Sequence, residues 1–84
     1  MSDRTVTEAE ARTLVAESIR RIVPDADVGA VPDDTPLRAE FELDSLDFLT
    51  FVETLAQRSG VEVTEDDYGR LVTMHTCVGF LTGG

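Results

Sequence analysis

Phe41–Leu55 reads FELDSLDFLTFVETL, and the rest of the chain is organised around it. Asp44 is suited to cap a helix, its carboxylate accepting from the free N–H groups of the first turn. That puts Ser45 at the first helical position with its hydroxyl toward solvent. An anion carried on that oxygen, a phosphate above all, is stabilised by the unpaired N–H groups and by the helix dipole. The helix is expected to run from Ser45 to about Arg58, with Gly60 ending it. At about 100° per residue, Phe48, Phe51, Val52, Leu55 and Ser59 share one face, which is the expected core face. Leu46, Leu49, Thr50 and Glu53 lie on another, so Leu46 and Leu49 are left beside Ser45 on a more exposed side.

Upstream, Thr7-Glu8-Ala9-Glu10 is a capping box that opens a helix over about 8–22. Ala11, Leu14, Val15, Ile19 and Ile22 recur there at helical spacing, interrupted by Ser18, until Pro24 stops the run. From Pro24 to Leu43 no period is sustained, which predicts a long loop. At about 20 residues it exceeds ordinary connections and needs ties. Val28, Val31, Leu37 and Phe41 are the expected ones, each dropping an apolar side chain onto the helices. Asp25, Asp27 and Gly29 suggest a calcium loop, but the glycine comes one position early and Pro36 takes the place of the bidentate glutamate, so no metal site is expected.

Downstream, Val61-Glu62-Val63 alternates like a strand but has no partner, so it is expected to be an extended connector. Thr64 caps a short helix over about 65–70, limited by Gly69. Thr73 caps the last, over about 74–81, in which Met74, Cys77, Val78 and Leu81 fall at i, i+3, i+4 and i+7. Gly83 and Gly84 are expected to form a frayed tail. The fold predicted is all-α, a single domain over 1–84 with three main helices, one short one, and a long loop between the first two.

The 84 residues carry a net charge of −10, unevenly placed. Four acids balance four arginines over residues 1–23, whereas thirteen acids face only Arg38, Arg58 and Arg70 from Pro24 onward. Such a surface argues against nucleic acid and favours a basic protein partner. With one cysteine, Cys77, no internal disulfide is available; the N-terminal stretch lacks the apolar run of a signal peptide, and no segment is long enough to insert in a membrane. A monomer in a reducing cytosol is the expectation.

Catalytic readings fare poorly. Ser45 as a nucleophile needs a base in reach, yet His75 is the only histidine and no G-x-S-x-G pattern surrounds the serine. His75 and Cys77, two apart on a helix, point to different faces and do not make a metal pair. His75 is expected at the surface and Cys77 in the core.

Asp44-Ser45-Leu46-Asp47, opening an amphipathic helix in a small acidic chain, resembles the phosphopantetheine attachment site of acyl carrier proteins and related carrier domains. The likeness extends to Asp34-Thr35-Pro36-Leu37 before it and to Val61-Glu62-Val63 and Glu65-Asp66-Asp67 after it, spanning about residues 7 to 81. What the resemblance implies is a small acyl-carrier-like helical bundle, not itself an enzyme. Ser45 is then the attachment site for 4′-phosphopantetheine, taken from coenzyme A through a magnesium-dependent phosphopantetheinyl transferase. The arm's thiol carries acyl groups as thioesters to and from acyl-loading ligase or synthase enzymes. Asp44 and Leu46 are implied contacts of the transferase. Leu46 and Leu49, bounded by Asp44, Asp47 and Glu53, are expected to form an apolar docking patch with an acidic rim; the alternative for Leu49 is a tie under the loop, against Leu37 or Phe41. Fatty, polyketide, aminoacyl and peptidyl cargo all remain open, as does an unmodified acidic adaptor. The chain departs from the family at Glu42, where glycine is common. It departs also at Thr50, Gln57 and Arg58, where fatty-acid carriers tend to have acids.

Overall fold

A computed structural model describes residues 6–83. Helix α1, Glu8–Arg20, opens on the expected capping box: Thr7 Oγ1 accepts the Glu10 N–H at 3.1 Å, and Glu10 Oε1 accepts the Thr7 N–H at 3.0 Å. It ends before Ile22. The Ile22 and Val23 amides both turn back onto the Ile19 carbonyl at 2.9 Å, because the residue preceding Pro24 is driven out of the helical region. Ala11, Val15 and Ile19 are buried, and so is Ser18. That hydroxyl donates to the Leu14 carbonyl at 2.8 Å, which lets a polar residue sit within the apolar stripe.

The segment after Pro24 is not the featureless loop expected. It contains a 3₁₀ turn, Val28–Ala30, and a short helix α2, Leu37–Glu40. Four residues make barely one turn, too short for any hydrophobic period to show. Val28 and Leu37 are buried, as expected of ties; Val31 and Phe41 are half-buried, Ala26 joins the core as well, and Leu43 is buried. Polar ties supplement these. Asp33 takes both guanidinium nitrogens of Arg12 on α1, one at 3.0 Å, while its carbonyl accepts the His75 N–H at 3.0 Å. The Leu37 N–H donates to the Val72 carbonyl at 2.8 Å.

Helix α3, Ser45–Ser59, ends at Gly60, whose φ of 75° is left-handed and whose N–H reaches the Ala56 carbonyl at 3.0 Å. Phe51, Val52 and Leu55 are buried on the expected face, together with Thr54; Phe48 is only half-buried, because it stands at the edge of the helix's contact with the rest of the fold. Residues 61–64 belong to no regular element, Thr64 taking extended backbone, and there is no strand among the described residues. Thr64 donates from its N–H and its hydroxyl to Asp67 Oδ2, starting a 3₁₀ helix, Glu65–Arg70, that contains Gly69.

Helix α4, Met74–Leu81, starts at Thr73, whose hydroxyl accepts the Thr76 N–H at 3.1 Å, and buries Met74, Cys77, Val78 and Leu81. Gly83, expected to fray, instead takes a φ of 81° and donates to the Phe80 carbonyl at 3.3 Å, closing the helix; Gly84 lies outside the described residues. α1 packs against both α3 and α4, and Arg58 of α3 pairs with Glu17 of α1 at 3.2 Å. The result is an all-helical bundle around one core.

The Arg12 hydrogen bonds hold the Asp33 carboxyl below its ordinary range, against a smaller opposing effect of desolvation. Since the folded value is the lower, the tie supports the fold above the unfolded carboxylate range and is lost as pH falls through the depressed folded value. An NMR carboxyl titration is expected to show Asp33 titrating low in the native protein and returning to the ordinary range in Arg12→Gln. Equal titration in both would remove the ion pair from the account.

Candidate functional site

The junction between α2 and α3 places Ser45. α2 closes with two backbone bonds, from the Leu43 N–H to the Arg38 carbonyl at 2.9 Å and from the Glu42 N–H to the Ala39 carbonyl at 3.4 Å. This is the pattern of a helix terminated by a left-handed residue, and Glu42 has a φ of 55°. A glycine adopts that conformation without penalty; a glutamate is strained there by its Cβ. The position where the sequence departs from its resemblance is therefore one at which backbone geometry favours glycine. Leu43, next in the chain, is buried and anchors the turn.

Asp44, two residues beyond Glu42, caps the next helix. Asp44 Oδ1 accepts the Asp47 N–H at 2.8 Å, and Asp47 Oδ2 faces the Asp44 N–H at 3.5 Å, so the two aspartates cap α3 reciprocally. The amides of Ser45 and Leu46 have no acceptor within the helix, as at any helix start. Ser45 is exposed at this positive end.

Arg38 is the partner that sequence reasoning missed. Its Nη2 donates to Ser45 Oγ at 3.2 Å and its Nε to the Leu43 carbonyl at 3.0 Å, while the guanidinium carbon lies 5.5 Å from the centre of the Phe48 ring. Phe48 in turn meets Tyr68 edge to face at 5.7 Å. The available signal was charge: among eight acids from Asp25 to Asp47, Arg38 is the only base.

A surface groove of about 480 Å³ opens beside Ser45, with Arg38, Phe48, Leu49, Tyr68, Leu71 and Val72 along its walls. Of the residues singled out from sequence, the structure brings Ser45 and Leu49 to this groove and does not bring Asp44, Leu46, Asp47 or Glu53 to it. Leu46 is 74% exposed and Leu49 40%, and Val72, not anticipated, is 40% exposed as well. Leu49 is thus no buried tie of the loop. A second hollow, between Leu14 of α1 and Ser59 of α3, lies at the far end of α3, about 20 Å of helix from Ser45.

Cys77 is fully buried, and burial pushes its thiol up to about 12, so at neutral pH it is protonated and shielded. No grouping of three or more histidine, cysteine, aspartate or glutamate side chains suited to a metal ion occurs among the described residues.

A family model for the phosphopantetheine attachment site matches residues 11–78. No curated protein and no solved structure matches the chain.

If Glu42 is strained as its φ implies, Glu42→Gly is expected to raise the unfolding free energy by about 0.5–1 kcal/mol, strain relief outweighing glycine's greater chain entropy. Chemical denaturation measures this. A loss of stability would show that the left-handed turn is not strained.

Proposed function

Because this chain belongs to the family of phosphopantetheine-attachment carrier domains, we propose that it carries its covalent 4′-phosphopantetheine on Ser45 and uses it to hold acyl groups as thioesters. The observation that carries the assignment is the setting of the Ser45 hydroxyl: exposed, at the start of α3, with a guanidinium 3.2 Å from its oxygen. Helix N–H groups and a cation are what a phosphate on that oxygen requires. Ser45 Oγ supplies the oxygen of the new O–P bond as the P–O bond to the adenosine bisphosphate portion of coenzyme A breaks, and its proton passes to a base on the transferase. The arm, once attached, contributes a terminal thiol for thioester formation. The chain itself presents cargo and leaves the chemistry to its partners.

Acyl cargo is favoured by the groove beside Ser45, whose walls include Phe48, Leu49, Leu71 and Val72. Exposed Leu46, Leu49 and Val72 offer partner enzymes apolar contacts near the arm, with Asp44 and Asp47 next to Leu46 and Ser45 in the chain. In such an interface leucines supply affinity, and acids mainly orientation and on-rate. The acidic stretch after Pro24 favours basic partner surfaces. No helix among the described residues is long and apolar enough to cross a membrane.

Incubation with coenzyme A, magnesium and a broad-specificity transferase is expected to add one arm to the wild type and none to Ser45→Ala, read by intact mass. A thiol reagent then checks the product independently. The native apo protein should expose no fast-reacting thiol, since Cys77 is buried, and the modified protein one. An arm on Ser45→Ala would refute the site.

Leu49→Ala is expected to slow loading by a partner enzyme while costing less than about 1 kcal/mol of stability, against about 2–5 kcal/mol for truncating the fully buried Leu55. Loading rate and denaturation midpoint on the same samples decide it. An unchanged rate would remove Leu49 from the docking surface.

A further inference from the structure

We propose that Arg38 is the residue that holds the phosphate of the arm, an inference that rests on Ser45 being the attachment site. The guanidinium is fixed before any phosphate arrives: Nε is committed to the Leu43 carbonyl at 3.0 Å, the group lies 5.5 Å from the Phe48 ring centre, and Nη2 already reaches Ser45 Oγ at 3.2 Å. These two hydrogen bonds use two of five N–H donors, leaving the outer edge of the fork for further oxygens. An arginine so arranged gives up little side-chain freedom on meeting an anion.

Charge supplies the need. Asp44 and Asp47 flank Ser45, and no base other than Arg38 occurs in the sequence between Arg21 and Arg58. A phosphodiester on Ser45 adds a further negative charge to that cluster. Arg38 donates to the attachment oxygen, and a phosphate bound there can accept from it in the same direction as the hydroxyl does now. The closure of α2 that orients Arg38 and the capping of α3 that orients Ser45 are one continuous piece of backbone. The arginine is thus a positioning residue that keeps the base of the arm against the protein.

The test compares wild type, Arg38→Gln and Arg38→Lys, each as apo and fully modified protein, by melting temperature and by phosphorus-31 NMR. Taking the difference between modified and apo forms within each variant cancels the purely structural loss of the Leu43 bond. The expected result is that this difference falls by roughly 2–5 °C in Arg38→Gln, the scale of an exposed charge pair in a domain of this size, and that lysine restores part of it. The phosphorus resonance should move between wild type and Arg38→Gln. Differences and resonances indifferent to residue 38 would overturn the role of Arg38 alone. A wild type that takes no arm would overturn the attachment reading, and this one with it. Should Arg38→Gln fail to fold, Arg38→Lys carries the comparison: a resonance shifted from wild type supports the contact, and an identical one overturns it.

Discussion

The hydrogen bond from the Leu43 N–H to the Arg38 carbonyl closes the turn on which the candidate site depends. It stops α2 after one turn, forces Glu42 into the left-handed region, and buries Leu43 while Asp44 and Ser45 emerge at the surface. The same two residues are joined a second time, when the Arg38 side chain donates back to the Leu43 carbonyl at 3.0 Å. A conformational strain at Glu42 is therefore offset by two hydrogen bonds and a buried leucine, and what it secures is the mutual placement of a cation and a hydroxyl. Backbone strain held at a functional position by its surroundings is a recurring arrangement.

That turn sits in a stretch of chain which, untied, would cost much conformational entropy to order and would carry crowded negative charge. Its stability is supplied from outside. Arg12 of α1 holds Asp33, the His75 amide of α4 holds the same residue's carbonyl, and the Val72 carbonyl holds the first amide of α2. Each tie comes from a different part of the bundle, so the start of α3 is fixed relative to α1 and α4 together. Val72, which anchors α2 by its backbone, also presents its side chain beside Leu49 in the groove. The element that supports the site and the surface that borders it are the same piece of chain.

The parts legible in the sequence are those written in local signals. Thr7, Asp44 and Thr73 each cap a helix as their spacing predicts, Gly60 ends α3, and the stripes Ala11–Val15–Ile19 and Met74–Cys77–Val78–Leu81 fill the core. Ser45 was legible because an N-cap fixes the residue after it. What escaped was non-local or too short to have a period: α2 with its four residues, the 3₁₀ turn at Val28–Ala30, and the reach of Arg38 to Ser45 across seven positions. Glu42 illustrates the boundary between the two. The sequence marked it as a departure from a resemblance, but only the φ of 55° explains why glycine is at home there. Ser18 and Thr54 show the converse, polar residues that pattern alone keeps out of a core and that the fold nevertheless buries.

Function in this account reduces to one oxygen. The helix start, the capping aspartates, the arginine and the groove matter only if Ser45 bears the arm in the cell, and the most direct measurement is peptide mass spectrometry of the protein purified from its own host. The account predicts that the peptide containing Ser45 carries phosphopantetheine, free or acylated, with fragmentation localising it to that serine. A chain recovered from active cells with Ser45 unmodified, or with the arm on another residue, would contradict it.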